Sequence, residues 1–151
     1  MIKKGIILAG GSGTRLSPLT KSVNKQLLPI NDKPMIFYPL SIMMLSNIKK
    51  ILMVVNPGQI DNFKSLLGNG SRYGIEINYK IQDKPRGLPD AFNLGRHFIG
   101  KDNVALILGD NFFYGQSLTK KLEKSSIHKS GATIFLKEVS RPDNYGVAKI
   151  K

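Results

Sequence analysis

Near its start the chain reads Gly5-Ile6-Ile7-Leu8-Ala9-Gly10-Gly11-Ser12-Gly13-Thr14-Arg15-Leu16, and the expected fold follows from this stretch. Its first half is apolar and of strand length, and its second half has three glycines within four residues and then a fixed cation. Glycines allow backbone N–H groups to turn toward an anion, and an arginine adds a planar fork of donors for phosphate oxygens. We therefore interpret the stretch as a strand that ends in a phosphate-binding loop. The alternative is a tight turn with a solvated arginine, but a plain turn needs fewer glycines.

Two commoner phosphate-binding loops do not match this stretch. A Walker A loop ends in Gly-Lys-Ser or Gly-Lys-Thr, whereas Gly13 is followed here by Thr14 and Arg15. A dinucleotide-binding fingerprint that begins at Gly11 requires a small residue at position 16, which is Leu16. The loop therefore belongs to neither of these classes.

Short apolar runs rich in β-branched residues predict the strands of a buried parallel sheet. The predicted strands are residues 4–8, 51–55, 75–81, 104–108 and 132–136, with a candidate sixth at 145–150. Alternation of these runs with helical patterns predicts an α/β fold, in which one open, mostly parallel, Rossmann-like sheet is flanked by helices. We expect a single domain that spans residues 1–151.

Three helical patterns lie between the strands. Residues 60–67 have one apolar face, and Gly68 is expected to end that helix. Leu118 and Leu122 repeat at helical spacing behind Ser117, which is a candidate N-cap. Residues 35–45 are apolar nearly all round, which predicts a buried helix kinked by Pro39 and filled by Met43 and Met44.

Polar side chains follow several of these strands. The Gly10–Arg15 loop follows the first strand, Gln82 the third and Asp110 the fourth. Ligands of open parallel sheets bind beyond the carboxyl ends of the strands, so we expect these residues to share one site. A carboxylate at that place suits a magnesium ion, although the Asp-Asn pair at 110–111 is also typical of a turn or a helix cap.

Composition excludes several classes of protein. The 151 residues are 41% hydrophobic and 22% charged, which is globular, and no run is long and apolar enough to cross a membrane. The opening Met1-Ile2-Lys3-Lys4 runs into the first strand without a signal peptide, so we expect a cytoplasmic protein. There are no cysteines, and with only His97 and His128, both expected on exposed helical stretches, a zinc site is not expected.

The charge balance is strongly basic, with 23 Lys and Arg against 10 Asp and Glu and a formal net charge of +13. Such a balance is typical of proteins that bind nucleic acid, an anionic membrane or anionic small substrates. The basic residues are scattered, with no run longer than a pair and no interleaved aromatic residues. We therefore expect small anionic substrates, and neither nucleic acid nor membrane, as partners.

Several motifs resemble those of the sugar-nucleotide pyrophosphorylases, and among them the glucose-1-phosphate thymidylyltransferases. The loop signature of that family, Leu-Ala-Gly-Gly-x-Gly-Thr-Arg-Leu, matches residues 8–16. Further matches are Lys25-Gln26-Leu27-Leu28-Pro29-Ile30, Asp32-Lys33-Pro34-Met35-Ile36, Tyr38-Pro39-Leu40-Ser41, Leu108-Gly109-Asp110-Asn111, Phe113-Tyr114-Gly115 and Tyr145-Gly146-Val147. The resemblance extends along the whole chain and implies the fold of the nucleotide-diphospho-sugar transferases.

The resemblance implies a reaction in which glucose 1-phosphate attacks the α-phosphorus of dTTP, giving dTDP-glucose and pyrophosphate with Mg²⁺ as cofactor. It implies that Arg15 and Lys25 are catalytic, with Arg15 on the triphosphate tail and Lys25 on the α-phosphate, and that Asp110 binds the metal. The implied nucleotide-binding residues are Leu8, Ala9, Gly10, Gly11, Ser12, Gly13, Thr14, Arg15, Lys25, Gln26, Gln82, Pro85, Gly87 and Asp110, of which Gln82, Pro85 and Gly87 meet the base. Asn111 and Gly146 match positions that contact the sugar.

The chain departs from the family pattern in two places. The family's Gly-Leu-Ala-Gln-Ala is Gly87-Leu88-Pro89-Asp90-Ala91 here, and the added negative charge leaves the choice among dTTP, UTP and CTP open. The family also continues beyond the position of Lys151 with a Glu-Lys sugar clamp, a second metal-binding aspartate and oligomer contacts. We therefore expect a truncated family domain that is a homo-oligomer in any full-length form.

Two other functions stay open at this point. The chain could be a non-catalytic nucleotide-binding or oligomerising module that lacks the sugar clamp. A nucleic-acid binder recruited through its charge is the third hypothesis.

Overall fold

The computed structural model describes residues 1–11, 13–84, 86–127 and 130–149. The strands are β1 (Lys4–Ala9), β2 (Pro29–Ile30), β3 (Lys33–Pro34), β4 (Lys50–Val55), β5 (Glu76–Ile81) and β6 (Val104–Leu108). The helices are α1 (Phe37–Leu45), α2 (Ile60–Leu67), α3 (Asp90–Leu94), α4 (Arg96–Ile99) and α5 (Leu118–Ser125). Short 3-10 turns occupy much of the region between β1 and β2.

The main sheet is parallel and has the strand order β5-β4-β1-β6. The four strands predicted from the first four apolar runs are confirmed with ends within one residue of the prediction. The chain builds outward from β1 through β4 to β5 and then returns to the other side of β1 to form β6. The strand order therefore reverses between β1 and β6, which is where sheets of this type open a crevice for a ligand.

The register aligns the carboxyl ends of the four strands. Ala9 is paired with Val55, and Val55 with Ile81. On the other side of β1, Leu8 is paired with Leu108. The residues that follow the strands therefore leave the sheet along one edge.

Helices cover both faces of the sheet, as the sequence predicts. One face buries Ile7, Met53 and Val55 against α1, α2 and α5, with Phe63 fully enclosed. The other face buries Ile6, Leu52 and Val54 against Ala91 and the half-buried side chains of α3 and α4. This two-sided burial explains why the strands are nearly continuous apolar runs.

The two predicted carboxyl-terminal strands are absent from the described structure. Residues 132–136 and 145–149 form no ladder with any described strand, and residue 150 lies outside the described residues. Ile134, Phe135 and Leu136 are 69%, 48% and 59% exposed. The prediction was wrong because an apolar, β-branched run supplies the propensity for a strand but not the neighbour that the ladder requires.

The helices differ from the predictions in detail. Helix α1 is confirmed, but Pro39 is its third residue, where a missing N–H breaks no intrahelical hydrogen bond, so the predicted kink was wrong. Met43 is buried in the core as predicted, whereas Met44 is 40% exposed, so its assignment to the core was wrong.

The other helix predictions had mixed outcomes. Helix α2 ends at Gly68, which has a φ of 61°, as predicted. Helix α5 follows Ser117, but the Ser117 side chain makes no capping hydrogen bond, so that prediction was wrong. His97 is exposed on α4, as predicted, and His128 lies outside the described residues. Within the described ranges, no helix has the length and apolarity that a membrane span requires.

Met43 and Met44 are adjacent on α1, but Met43 is buried and Met44 is exposed. Variants of the two residues therefore test the packing of α1 on the sheet. We expect Met43→Ala to lower the free energy of unfolding by about 2–5 kcal/mol, because it leaves a cavity where α1 packs on β1. Met44→Ala should change it by no more than about 0.5 kcal/mol, because the side chain is exposed. Urea denaturation of both variants measures the difference, and equal losses would contradict the assignment of Met43 to the core.

Candidate functional site

The loop after β1 is shaped by two glycines with positive φ. Gly11 has a φ of 107° and Gly13 a φ of 60°, values that residues with a Cβ rarely adopt. At Gly13 a Cβ would also lie 2.8 Å from Thr20 Cγ2, and the Thr20 hydroxyl donates to the Gly13 carbonyl oxygen at 2.8 Å. The chain then makes the 3-10 turn Thr14–Leu16, so the glycine-rich loop leads into one short turn.

Asn56 holds this loop from the neighbouring strand. Its side-chain Oδ1 accepts from the Gly11 N–H at 3.1 Å, and its Nδ2 donates to the Gly11 carbonyl oxygen at 2.9 Å. The sequence analysis did not single out Asn56. The signal was available, because Asn56 directly follows β4 and therefore lies on the same edge of the sheet as the loop.

A second segment, residues 24–27, lies beneath the loop. The buried Asn24 side chain donates to the Ala9 carbonyl oxygen at 3.3 Å and accepts from the Gln26 N–H at 2.9 Å. The second of these bonds caps the 3-10 turn Lys25–Leu27. Asn24 thus sets the direction in which Lys25 and Gln26 project, a role that the sequence analysis also missed.

Gln26 has a buried carbonyl oxygen without a donor. The residue is 3% exposed, and its Nε2 donates to the Gly10 carbonyl oxygen at 3.3 Å. In the described part of the chain nothing donates to Gln26 Oε1. Buried polar atoms are nearly always paired in folded proteins, so this oxygen is suited to accept a hydrogen bond from a ligand.

Lys25 and Asp110 meet at the same place. Lys25 Nζ lies 2.7 Å from Asp110 Oδ2, and the two side chains are 31% and 33% exposed. Asp110 comes this close because Gly109 precedes it. A Cβ on Gly109 would lie 2.8 Å from Gln26 Cγ and 3.1 Å from Ala9 Cα, and the Gly109 N–H extends the ladder to the Leu8 carbonyl oxygen at 2.9 Å.

These groups surround an open cavity of about 250 Å³ that lies beyond the carboxyl ends of β1 and β6. Its lining contains two cationic side chains, Arg15 and Lys25, and one carboxylate, Asp110, so it is electropositive. The predicted site residues that line it are Gly10, Gly11, Gly13, Thr14, Arg15, Lys25, Gln26 and Asp110, joined by Leu16. A cavity with exposed backbone at a glycine-rich loop and an excess of positive charge suits a phosphate-bearing ligand.

Gln82 lies next to this cavity, behind the loop. It follows β5 directly, and its N–H donates to the Val55 carbonyl oxygen at 2.9 Å. The side chain is 6% exposed, and its Nε2 donates to Asp90 Oδ2 at 2.8 Å. A Cβ on Gly10 would lie 3.3 Å from Gln82 Oε1, which shows how closely the amide approaches the loop.

The remaining predicted residues have different positions. Leu8 and Ala9 belong to β1, behind the loop. Asn111 is half-buried beside Asp110, and its N–H donates to the Leu108 carbonyl oxygen at 3.1 Å. Gly87 is exposed with a φ of 83°, and Gly146 is exposed in the carboxyl-terminal segment. Ser12 and Pro85 lie outside the described residues.

The donor set at Asp110 fits a hard divalent cation. Asp110 Oδ2 accepts from Lys25, whereas Oδ1 accepts from no side chain of the described residues. Across those residues there is no cluster of three or more His, Cys, Asp or Glu side chains. Magnesium commonly takes one or two carboxylates and completes its shell with substrate phosphates and water, so a single aspartate beside a phosphate-binding loop suits it.

Comparisons with known proteins agree on one family. A model of the nucleotidyl transferase family matches residues 4–151. A glucose-1-phosphate thymidylyltransferase of Neisseria meningitidis is 55% identical over 97% of this chain and 51% of its own length. One from Xanthomonas campestris is 51% identical over 97% of this chain and 50% of its own length. The chain therefore spans about half the length of the curated relatives it matches.

A solved structure agrees with the fold. It comes from Bacillus anthracis, is named provisionally a glucose-1-phosphate thymidylyltransferase, and contains bound sucrose. It superposes with a TM-score of 0.90 at 38% identity, and the match covers 98% of this chain and 60% of that one. The predicted α/β fold with a parallel sheet is therefore confirmed.

A variant of Gly109 tests the close approach of this residue to Ala9 and Gln26, which brings Asp110 to the cavity. We expect Gly109→Ala to lower the free energy of unfolding by about 1–3 kcal/mol, because the added methyl group meets the backbone of β1 as well as Gln26. Gly146→Ala is the matched control, since a Cβ there has nothing within 4 Å, and it should stay within about 0.5 kcal/mol. Thermal or urea unfolding measures both, and an unaffected Gly109→Ala would show that the strands are less tightly packed than described.

Proposed function

Because the chain belongs to the nucleotidyl transferase family, we propose that it is the nucleotide-binding part of a glucose-1-phosphate thymidylyltransferase. The proposed enzyme joins dTTP and glucose 1-phosphate to give dTDP-glucose and pyrophosphate. The observation that carries the proposal is the pairing of Lys25 with Asp110 at 2.7 Å, in a cavity beneath a glycine-rich loop that also presents Arg15. This arrangement combines a phosphate cradle, two cations and a metal-binding carboxylate.

The glycine-rich loop and Arg15 bind the triphosphate in this proposal. The backbone of Gly10, Gly11 and Gly13 lines the cavity with Thr14, and Ser12 belongs to the same loop. The exposed Arg15 side chain makes no ion pair within the part of the chain that the structure describes, so its guanidinium is available for phosphate oxygens. A planar fork of donors suits the two outer phosphates, which leave as pyrophosphate.

Lys25 acts on the α-phosphate. Asp110 holds its ammonium group inside the cavity before the substrate arrives, so the lysine does not have to be ordered during the reaction. An α-phosphate oxygen then replaces the carboxylate as the partner of Lys25. As the sugar phosphate oxygen attacks and the bridging oxygen of pyrophosphate departs, negative charge is redistributed over the α-phosphate, and a fixed cation stabilises it.

Asp110 is the residue that would hold Mg²⁺. The metal would neutralise phosphate charge when bound and so supply electrophilic assistance. The chain's own contribution is to keep one carboxylate at the cavity wall. Gly109 allows the close approach, and the ladder bond to Leu8 fixes the backbone.

The base of the nucleotide and the sugar are assigned to the other predicted residues. We assign the base to Gln82, Pro85 and Gly87, and the sugar to Asn111 and Gly146. The buried Gln26 Oε1, to which no described residue donates, would accept from a hydroxyl group of the nucleotide sugar. Leu8 and Ala9 support the loop from β1. Residues 1–151 would form one domain of a cytoplasmic protein, a setting that the absence of cysteine fits.

The second candidate function is a nucleotide-binding module without turnover. The chain spans about half of its curated relatives, and Phe135, Leu136 and Val147 expose large apolar side chains. Exposed apolar surface of this kind is typical of an interface, so we propose that further protein packs there, either a continuation of the chain or another subunit in a homo-oligomer.

The two candidates are separated by assays of the same protein. Pyrophosphate release is measured with dTTP, glucose 1-phosphate and Mg²⁺, and dTTP binding by titration calorimetry. Lys25→Ala should lower turnover by about 10²–10³-fold through lost charge stabilisation. Arg15→Ala should weaken dTTP binding by about tenfold to a hundredfold through lost charged hydrogen bonds.

Lys21→Ala is the matched control, since Lys21 is an exposed lysine in the turn before Lys25 and does not line the cavity. It should leave both quantities unchanged, and all three variants should keep the melting temperature. Binding of dTTP without pyrophosphate release would favour the binding module. If neither binding nor turnover is seen, the proposed function is wrong.

A further inference from the structure

We infer that Asp90 fixes the Gln82 amide so that its carbonyl oxygen faces the nucleotide base, and that this selects the imide edge of thymine or uracil over cytosine. The inference rests on the proposed function, in which Gln82 meets the base. Asp90 is a positioning residue here, since it acts through Gln82. The hydrogen bond between the two side chains carries the argument.

The backbone of Gln82 is held in place by the sheet. Its N–H donates to the Val55 carbonyl oxygen at 2.9 Å, which extends the β4–β5 ladder by one bond. The side chain is 6% exposed, so its amide is confined by protein on most sides. The remaining freedom is rotation about the last side-chain bond, which exchanges the positions of Oε1 and Nε2.

Asp90 removes that freedom. Its Oδ2 lies 2.8 Å from Gln82 Nε2. An ionised carboxylate only accepts hydrogen bonds, so it pairs with the NH₂ group and repels the carbonyl oxygen of the amide. Rotation of the amide would place two oxygens against each other at a buried position, which is unfavourable. A glutamine or asparagine at position 90 would impose no such choice, since an amide both donates and accepts.

The fixed orientation leaves Gln82 Oε1 beside the loop after β1. A Cβ on Gly10 would lie 3.3 Å from this oxygen, and Gly10 lines the cavity that holds Arg15 and Lys25. No side chain or backbone group of the described residues donates a hydrogen bond to Gln82 Oε1. The site therefore presents an acceptor, and only an acceptor, from Gln82.

An acceptor at this position distinguishes the pyrimidines by their N3 atoms. Thymine and uracil carry a hydrogen on N3 and donate it, whereas neutral cytosine has a lone pair there. The carbonyl of Gln82 thus gains a hydrogen bond with the first two bases and faces repulsion with the third. A glutamine free to rotate would satisfy either edge, so the selectivity depends on Asp90. The methyl group of thymine does not enter this selection.

Binding of dTTP, UTP and CTP to the whole chain tests the inference, with calorimetric Kd values for wild type, Asp90→Asn and Asp90→Ala. We expect wild type to bind dTTP and UTP at least about tenfold more tightly than CTP, as one hydrogen bond gained or opposed implies. Both variants release the amide, so the ratio of the CTP Kd to the dTTP Kd should fall about tenfold, and the ratio of the CTP Kd to the UTP Kd should fall equally. Asp83→Asn is the matched control, since Asp83 is exposed in the same loop, and it should leave both ratios unchanged.

The two Kd ratios distinguish a positioning role of Asp90 from a role in supporting the fold. A structural role for Asp90 would weaken all three nucleotides together or lower the melting temperature, without changing the preference among bases. Unchanged ratios in a folded Asp90 variant would overturn the inference, and so would a fall in one ratio alone. If wild type binds CTP as tightly as dTTP, the inference is wrong without any variant being needed, and the proposed site stands. If wild type binds no nucleotide, the proposed function fails and the inference fails with it.

Discussion

The parallel pairing of β1 with β4 on one side and β6 on the other is the constraint on which the rest of the structure depends. It aligns Ala9 with Val55 and Leu8 with Leu108, so that the loop after β1, Asn56 and Asp110 leave the sheet at one edge. Backbone hydrogen bonds and apolar burial on both faces hold this register, since a slip of one residue would move every side chain of a strand to the opposite face, where a different set of helices packs. The chemistry of the site thus rests on an apolar core that takes no part in it.

Amide side chains, more than charges, connect the loops at this edge, and those of Asn24 and Gln26 are buried. Asn56 bonds both polar groups of Gly11, Asn24 joins β1 to the turn at Lys25, and Gln26 reaches the Gly10 carbonyl oxygen. An amide can donate and accept at once, so it can satisfy irregular backbone without adding net charge. This leaves Arg15 and Lys25 as the cations of the cavity and Asp110 as its carboxylate, so the amides that support the loop add nothing to the net charge of the lining.

The ion pair of Lys25 and Asp110 fixes the positions of two side chains more than it stabilises the fold. Both side chains are partly exposed, so the pair contributes little to stability. Its effect is to keep an ammonium group and a carboxylate in defined places at the mouth of the sheet. The scattered charge of +13 gives a general attraction for anions, whereas the position of Lys25 determines where a phosphate would be held.

Much of the fold could be predicted from the sequence. The four strands of the sheet, helix α2 with its end at Gly68, and the grouping of the glycine-rich loop with Asp110 follow from local patterns, whereas Lys25 was assigned to the site from the family resemblance. Strand prediction failed at residues 132–136, and the burial of Met44 was predicted wrongly. In both cases the local pattern was suitable, but no described strand pairs with residues 132–136, and the Met44 side chain is 40% exposed on α1.

The four strands of the main sheet, the start of the phosphate loop and the charged residues that follow it could be predicted from the sequence alone, because these properties depend on side chains close together in the chain. The folded structure was needed to show that Asn56 holds the loop, that no described residue donates to Gln26 Oε1 and that Asp90 bonds Gln82. Such contacts join residues whose meeting depends on strand order, register and the close approach at Gly109. The place of Asn56 after β4 indicates its edge of the sheet, but which backbone groups these side chains bond is fixed only when the separate segments pack together.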